Sequence, residues 1–347
     1  MKAAVFAVPG DLATPTGGYA YDRRIIAELE ALGWCTDLLD LGDGFPRPPA
    51  TTRKIAGERL AAAPPQRPLV IDGLAFGVLP ETAAALQASH RLVALVHHPL
   101  ALETGLGAAD AAALRASERA ALACARHVIA TSTTTASLLA ADYGVAADRL
   151  SVVAPGTDAA EAQPRAGAGA VALLAVGAVV PRKGYDLLIA ALAKLTHLPW
   201  RLVIAGDGQR DSDAFARLVV DIAGHGLTDR VVLRGAVEPE ELAALYASAD
   251  LFVLPSRFEG YGMAFTEALA HGVPVLGTDV GAIPQTVPGD AGVLVPPDDV
   301  PALAAALRRL IADPRERARL AAGARAARFP SWREQGALFA RVLDGVA

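Results

Sequence analysis

The sequence is poor in cysteine, in aromatic residues and in net charge. Its 347 residues include two cysteines, 5% aromatic residues and a formal net charge of -5. Two cysteines are too few for a disulfide framework, and Cys35 and Cys124 lack the spacing of a metal-ligand pair. We therefore expect buried free thiols in a reducing compartment. Because neither half of the chain is strongly basic, nucleic-acid binding is not expected.

Long hydrophobic runs are absent as well. The N-terminal run MKAAVFAVPG stops at Pro9 and Gly10, which makes it too short for the core of a signal peptide. No stretch reaches the ~20 apolar residues that a membrane span needs. A soluble, cytoplasmic protein is the expectation. Arg53, Lys54 and Arg59 could touch a membrane surface, but three cations among Ala and Leu are more typical of a solvated helix face.

What the sequence does contain is a regular alternation of strand-like apolar runs and helical patterns. Such alternation is typical of parallel sheets with helices on both faces. The first six runs are 3–8, 36–41, 69–72, 92–96, 128–131 and 152–154. After a Pro-, Gly- and Ala-rich stretch at 155–170, which we interpret as a linker, six more runs follow at 171–176, 201–205, 231–233, 251–254, 273–277 and 292–295. The pattern predicts two doubly wound α/β domains facing each other across a cleft.

The segment from 255 to 295 carries the strongest chemical signal. Two carboxylates, Glu259 and Glu267, stand eight positions apart around the Gly-Tyr-Gly sequence at 260–262, where a helix begins. The start of a helix attracts phosphate, because its free N–H groups and its dipole both favour negative charge. A phosphate beside two carboxylates suggests a ligand with phosphates and hydroxyls, such as a nucleotide sugar.

This segment resembles the Glu-x7-Glu signature of retaining glycosyltransferases of family 4, which have the two-Rossmann-lobe GT-B fold. Further segments that follow the order and spacing of the family are 176–192, 202–209, 233–256 and, in the N-terminal half, 14–24 and 95–105. The resemblance implies a Rossmann-like acceptor domain at 1–158 and a Rossmann-like nucleotide-sugar donor domain at 170–330. It also implies that the last helix, about 331–347, packs back on the first domain.

By this resemblance, four charged residues of the donor domain have roles in binding and catalysis. Arg182 and Lys183 lie in a turn between a strand and a helix and would neutralise the leaving diphosphate. Taken alone, this pair would be more simply interpreted as a solvated surface pair. Glu259 would approach the transferred sugar, and Glu267 would accept hydrogen bonds from ribose hydroxyls. A stabilising contact with the helix dipole is the simpler interpretation of Glu267 alone.

Two histidines follow a strand-like run in the N-terminal half. Adjacent residues at the end of a strand point in opposite directions, so His97 and His98 make a poor metal pair. The family has a histidine at this point that contacts the donor sugar, and the alignment favours His97 as a catalytic residue. A satisfied core histidine is an interpretation that fits His98 better.

The remaining candidates are glycine-rich turns that let backbone approach a ligand. Gly17 and Gly18 precede a helix and would cover the donor phosphate, although an ordinary turn is the simpler interpretation. Turns at Gly206 and Val237 would border the nucleotide, and the GDG there lacks the full dinucleotide fingerprint. By resemblance, the donor-binding residues are Gly17, Gly18, Gly206, Val237, Gly260, Tyr261, Gly262 and Glu267.

The resemblance implies transfer of a sugar from a nucleoside diphosphate sugar to an acceptor hydroxyl of a glycan, lipid or small molecule, with retention. A UDP-sugar is the favoured donor, and GDP-mannose is the second candidate. No Asp-x-Asp element stands in a suitable place, so neither a metal nor another cofactor is expected. The alternatives are a nucleotide-sugar epimerase, a phosphorylase and a non-catalytic binding protein. Gln285 stands where the family commonly has glutamate, which leaves the donor orientation open.

Overall fold

Twelve strands alternate with helices along the residues that this computed structural model describes, 2–160 and 169–346. Most of the strands are short apolar runs, and each strand lies within two residues of its predicted ends. The predicted α/β class with two parallel sheets is confirmed. The linker predicted at 155–170 falls partly outside the described residues.

The chain divides into two units, the first comprising Met1–Gly156 with Pro330–Ala347 and the second comprising Thr157–Phe329. The strands of the first unit are β1 (Ala3–Val8), β2 (Cys35–Asp40), β3 (Pro68–Asp72), β4 (Arg91–Val96), β5 (His127–Ala130) and β6 (Leu150–Val152). Its helices are α1 (Gly17–Ala31), α2 (Ala50–Ala61), α3 (Gly73–Phe76), α4 (Pro80–Leu86), α5 (Ala108–Cys124) and α6 (Thr133–Tyr143). The sheet is parallel, in the order β2-β1-β3-β4-β5-β6.

The second unit repeats the plan with its own six-stranded parallel sheet. Its strands are β7 (Val171–Val176), β8 (Trp200–Ala205), β9 (Val231–Gly235), β10 (Leu251–Leu254), β11 (Val275–Thr278) and β12 (Gly292–Val295). Its helices are α7 (Tyr185–Ala193), α8 (Ser212–Gly224), α9 (Pro239–Ser248), α10 (Met263–Ala270), α11 (Ile283–Thr286), α12 (Val300–Ala312) and α13 (Pro314–Ala326). The order β12-β11-β10-β7-β8-β9 is that of the Rossmann dinucleotide fold.

The last helix, α14 (Trp332–Val346), belongs to the first unit and packs against α1. Phe339 stacks on Phe6 at a centroid distance of 5.9 Å, and Trp332 meets the edge of Tyr21 at 5.9 Å. Gly336 allows the close approach of the two helices, since a Cβ there would lie 2.3 Å from Cβ of Glu28. Burying aromatic side chains in this way contributes about 1.5–3 kcal/mol each.

The two cysteines depart from the sequence-based expectation. Both are free, but Cys35 is exposed and Cys124 is half-buried, so the prediction of buried thiols is wrong. Cys35 begins β2, which is an edge strand whose side chains are largely exposed. The Sγ of Cys124 contacts the carbonyl of Ala120 at the end of α5.

The three cations considered as a membrane contact, Arg53, Lys54 and Arg59, lie on α2. Arg59 donates to the backbone carbonyl of Asp40, and Nζ of Lys54 lies 3.8 Å from Oε1 of Glu58. These contacts are typical of a solvated helix face. No helix among the described residues is long and apolar enough to cross a membrane.

Candidate active site

In the second sheet the direction of chain progression reverses between β7 and β10, which are hydrogen-bonded neighbours. At such a switch point the carboxyl ends of two strands open a crevice, which is where open α/β sheets bind ligands. β7 leads to the turn that carries Arg182 and Lys183, and β10 leads to the loop at 255–262. The adjacency of the two strands therefore brings together two segments that are far apart in sequence.

Glu259 is the centre of a buried ion cluster at this point. Its Oε1 accepts hydrogen bonds from Nζ of Lys183 and Oγ of Ser256, both at 2.7 Å. Its Oε2 lies 3.4 Å from Nη1 of Arg182, which also donates to the carbonyl of Phe258. The side chains of Arg182 and Lys183 are only 17% and 14% exposed, so they are not a solvated surface pair.

The ionisation of Glu259 follows from these contacts. Burial opposes ionisation, but the charges of Lys183 and Arg182 and the hydrogen bonds outweigh it and hold the pKa of Glu259 at about 2. The glutamate is therefore an anion throughout the physiological range. The cluster thus has two cationic side chains beside one carboxylate, and cationic side chains in a crevice can bind an anionic ligand.

Two glycines allow close backbone contacts with the loop at 255–262. Gly184 has a φ of +69°, and a Cβ there would lie 2.1 Å from the carbonyl oxygen of Pro255. Gly281 has a φ of +54°, and a Cβ there would lie 2.2 Å from the carbonyl oxygen of Glu259. That same carbonyl accepts a hydrogen bond from the N–H of Ala282. Both the backbone and the carboxylate of Glu259 are therefore held by contacts with neighbouring segments.

Arg257 braces the turn that carries the two cations. Its guanidinium donates to both carboxylate oxygens of Asp186, at 2.9 and 2.7 Å, and to Oδ1 of Asp298 at 2.8 Å. It also donates to the carbonyl of Pro181 at 2.6 Å, and its backbone N–H donates to the carbonyl of Arg182 at 2.7 Å. Because guanidinium–carboxylate forks are geometrically specific, this residue fixes the direction in which the turn presents its cations.

Glu267 lies within α10, and its carboxylate is held by one tyrosine. The hydroxyl of Tyr246 donates to Oε2 of Glu267 at 2.8 Å, and His271 stacks on the ring of Tyr246 at 5.2 Å. Burial raises the pKa of Glu267, while the hydrogen bond from Tyr246 works in the opposite direction. The bond therefore both orients the carboxylate and favours its ionised form, which is the form that accepts hydrogen bonds from hydroxyls.

The predicted donor-binding positions of the second unit lie in the segments that follow β8, β9 and β10. Gly262 has a φ of +92° and is the N-cap of α10, and the carbonyl of Tyr261 accepts a hydrogen bond from Thr286. Gly260 lies between these two and Glu259. Gly206 follows β8, and a Cβ there would lie 2.0 Å from the carbonyl oxygen of Gly177. Val237 lies two residues past the end of β9 and is half-buried.

In the first unit, His97 lies between two buried carboxylates. Its Nε2 is 3.3 Å from Oδ1 of Asp22 and 3.7 Å from Oδ2 of Asp72. The two aspartates are 0% and 3% exposed. His98 points elsewhere, toward Glu103 at 3.4 Å, and it is only partly buried, so it is not a core histidine as the sequence suggested.

The first glycine-rich turn lies against this histidine. Thr16 caps α1 by accepting a hydrogen bond from the N–H of Tyr19 at 3.2 Å. A Cβ at Gly18 would lie 3.3 Å from Cδ2 of His97, whereas one at Gly17 would meet open space. Gly18 therefore lies against His97, whereas Gly17 is exposed at the start of α1.

The residues of these clusters that the sequence analysis did not single out include Asp22, Asp72, Tyr246 and Arg257. Asp72 offers a signal in retrospect, since it ends a strand at the edge where ligands bind. Arg257 and Tyr246 offer none, because their partners lie far along the chain. Among the described residues, Asp22, Asp72 and His97 are the one group of three acidic or histidine side chains close enough to share an ion. The expectation that no metal takes part stays a prediction.

Comparison with known families bears on this geometry. Residues 170–313 match the family model described as glycosyl transferases group 1, and residues 42–161 match the model described as glycosyltransferase family 4. Both halves of the chain thus match glycosyltransferase families, and each match includes one of the two clusters in whole or in part.

Two curated relatives illustrate the similarity in sequence. The D-inositol 3-phosphate glycosyltransferase 1 of Catenulispora acidiphila is 36% identical over 230 residues, which are 60% of this chain and 54% of that protein. The GDP-mannose-dependent alpha-(1-6)-phosphatidylinositol monomannoside mannosyltransferase of Mycolicibacterium smegmatis is 36% identical over 216 residues, 58% of this chain and 55% of that protein. The chain thus spans about half the length of these curated relatives in the matched regions.

Solved structures show the fold. The sucrose-phosphate synthase of Thermosynechococcus elongatus superposes with a TM-score of 0.82 at 23% identity, covering 99% of both chains. Anabaena HepE in complex with UDP superposes with a TM-score of 0.74 at 19% identity, covering 99% of this chain and 100% of the other. The fold is therefore GT-B, the fold of two Rossmann-like domains found in glycosyltransferases.

Proposed function

We propose that this chain transfers a sugar from a nucleoside diphosphate sugar to an acceptor hydroxyl, with retention of the anomeric configuration. The observation that supports it most is the Glu259 cluster: two cations and one carboxylate, buried at the switch point of a Rossmann-ordered sheet. The adjoining loop ends in the start of α10, where backbone N–H groups favour phosphate. Anion-binding groups beside a carboxylate fit a ligand that has both phosphates and sugar hydroxyls.

Each charged residue has a role in this reaction. As the bond between the sugar C1 and the phosphate oxygen breaks, negative charge grows on the leaving diphosphate, and Arg182 and Lys183 stabilise it. The acceptor oxygen forms the new bond to C1 on the same face, and its proton passes to the leaving phosphate. Glu259 orients the transferred sugar, and Glu267 accepts hydrogen bonds from the ribose hydroxyls. His97 contacts the donor sugar from the first domain.

For the donor, we propose a UDP-sugar first and GDP-mannose second. Anabaena HepE, which shares the fold, has been seen in complex with UDP and with UDP-glucose. The relative from Mycolicibacterium smegmatis is described as GDP-mannose-dependent. Tyr246 positions Glu267 for the ribose that both nucleotides share, so these contacts fit either donor.

The test starts from the donor. Thermal-shift screening of UDP- and GDP-sugars identifies the nucleotide sugar that raises the melting temperature, and acceptors are then supplied as fractionated cell extract. We expect free nucleoside diphosphate to appear only when an acceptor is present, with an α-linked product from an α-linked donor by NMR. Release without an acceptor, conversion of the donor to an epimer, or an inverted product would contradict the proposal.

Chelation should leave the activity intact, because the two cations of the Glu259 cluster already supply positive charge to the diphosphate. We expect less than a twofold change in turnover after dialysis against excess EDTA. The control is the same preparation with magnesium or manganese added back. A loss that either metal restores would show that a metal ion, and not the basic pair, neutralises the leaving group.

Removing the hydroxyl of Tyr246 should weaken donor binding with little effect on the chemical step. Tyr246→Phe deletes one hydrogen bond to a carboxylate, worth on the order of 1 kcal/mol, so KM for the donor should rise ~5-fold while kcat changes less than twofold. Tyr143→Phe, which removes a tyrosine hydroxyl from the first unit, is the control and should leave both constants unchanged. A fall in kcat without a change in KM would place Glu267 in the chemical step instead.

A further inference from the structure

The strand order of the first sheet explains why three titratable side chains, Asp22, Asp72 and His97, lie close together. Asp72 ends β3 and its neighbour in the register, Leu95, lies two residues before His97, so both side chains leave the sheet at the same edge. Asp22 comes from α1, the helix that follows β1, which is the other neighbour of β3. One atom from each of the three side chains lies within 4.8 Å of the others.

Burial makes the charge of this group of three side chains, which we call the His97 cluster, energetically expensive. With both aspartates ionised and the imidazole protonated, the cluster would carry a net charge of -1 in a site where Asp22 is fully buried. One further proton on a carboxylate makes it neutral. The pKa values agree with that distribution: burial, and then the charge of Asp22, raises the pKa of Asp72 to about 7. Burial lowers the pKa of His97, but Asp22 and Asp72 outweigh it, so the net shift is upward.

The neighbours of His97 also restrict the orientation of its ring. Nε2 faces the two carboxylates, and Gly18 lies beside the Cδ2 edge. Tyr21 meets the ring edge-on at 5.3 Å, and its hydroxyl donates to the carbonyl of Val153 at 2.8 Å. Nε2 is buried, and the side chain as a whole is 20% exposed. Nδ1 is therefore the ring nitrogen left for a ligand.

The other titratable and charged groups on the surrounding elements do not act as counter-ions of Asp22 and Asp72. On α1, Tyr21 stays neutral because burial raises its pKa well above the usual value. Arg23 donates to the carbonyls of Leu12 and Thr14, and Arg24 lies over the ring of Trp332 on α14. After β4, His98 pairs with Glu103. Among the described residues, no lysine or arginine forms an ion pair with Asp22 or Asp72, so His97 is their counter-ion.

We propose that Asp22 and Asp72 are positioning residues that hold His97 as an imidazolium at neutral pH, so that its Nδ1–H donates a hydrogen bond to an oxygen of the donor substrate. A neutral imidazole could present either a donor or an acceptor at Nδ1, whereas the imidazolium can only donate. This inference rests on the proposed function for the identity of the ligand. The charge state and the orientation of the ring do not depend on it.

The first test is NMR of the full chain labelled with ¹⁵N-histidine, which contains seven histidines. His97→Gln identifies the His97 ring signals. We expect both ring nitrogens of His97 to be protonated at pH 7, and the titration midpoint to fall by about one pH unit or more in Asp22→Asn and in Asp72→Asn. Glu118→Gln, which removes another buried carboxyl of the same unit, is the matched control and should leave the midpoint unchanged.

Several outcomes would overturn the inference. A neutral His97 tautomer at pH 7 in the unaltered protein would do so, and this measurement needs no variant that could misfold. A midpoint that Asp22→Asn and Asp72→Asn leave unchanged would do so too. So would a stoichiometric metal ion, measured by elemental analysis of the purified protein and lost in Asp22→Asn, because an ion would then replace the protons.

The second test asks whether a ligand uses the imidazolium. Once a donor is identified, the alkaline limb of the kcat/KM profile should move to lower pH in Asp72→Asn, while at pH 6 the variant should keep most of its activity. If the NMR midpoint moves and the alkaline limb does not, the ring is held as inferred but donates nothing to the substrate, and this inference fails. If no nucleotide sugar is turned over at all, the proposed function fails while the NMR result stands.

Discussion

Lys183→Ala and Arg182→Ala should each lower kcat about 10²–10³-fold on an identified donor and acceptor. The reason is that each cation faces charge that grows only as the bond to the leaving diphosphate breaks, in a site that is largely closed to solvent. Uniform loss of donor binding would instead raise KM and leave kcat alone. Steady-state kinetics with both substrates varied separates the two cases.

Lys183→Ala should also lower the free energy of unfolding. It deletes a 2.7 Å ion-paired hydrogen bond to a buried carboxylate, but Arg182 and Ser256 remain as partners, so we expect a loss of about 1–3 kcal/mol. Because the pKa of Glu259 is depressed to about 2, its contribution is fully present above the unfolded pKa and is lost as pH falls through about 2. The variant should therefore lose stability at a higher pH than the unaltered protein during acid unfolding.

Exposed cations of the same unit provide the controls. Lys194→Ala and Arg201→Ala remove charges from exposed side chains and should change neither kcat nor acid stability by a measurable amount. Near-normal kcat in folded Lys183→Ala and Arg182→Ala would mean that the cluster has a structural role only. A change of the same size in the controls would point to long-range electrostatics instead of local contact with the diphosphate.

The fold was predictable because its signal is local and repeated. Strand-like runs alternate with helical patterns along most of the chain, and the structure has each predicted strand within two residues of its predicted ends. Their order in the sheets is not local. Nothing in the sequence of β7 or β10 says that they pair, yet this pairing is what brings Lys183 to Glu259.

In the candidate site, prediction from motifs identifies residues in the turns and overlooks the residues that support those turns. It singled out Arg182, Lys183 and Glu259, which the structure brings into contact, but it did not single out the residues that hold them. Arg257 is such a residue, since its five contacts reach residues as many as 76 positions away in the sequence. Supporting residues depend on three-dimensional neighbours, and therefore only the structure shows them.

The two cysteines and His98 show why burial is difficult to predict from residue type. Free cysteine is usually buried, but Cys35 begins the edge strand β2, whose outer side is not covered by another strand. His98 directly follows His97, and adjacent side chains at a strand end point in opposite directions. One of the two therefore faces the buried carboxylates, and the other turns to Glu103 near the surface.

Glu259→Gln is expected to lower kcat on the order of 10²-fold without raising KM for the donor. The carboxylate orients the sugar that changes shape and charge in the transition state, so its loss falls on the chemical step. The same substitution removes the negative charge that lies against Lys183 and Arg182. Both cations then attract the diphosphate more strongly, and product inhibition by the nucleoside diphosphate should increase ~3- to 10-fold.

Glu267→Gln is the matched comparison, since it is the same change within one short segment. Ribose is held alike in the ground state and the transition state, so this variant should raise KM for the donor and leave kcat nearly unchanged. Initial rates, product-inhibition constants and circular dichroism of both variants give the answer. If Glu259→Gln raises KM and keeps kcat, its carboxylate only binds the donor. If both folded variants behave like the unaltered protein, the two glutamates stabilise the structure of the loop and of α10 and have no part in catalysis.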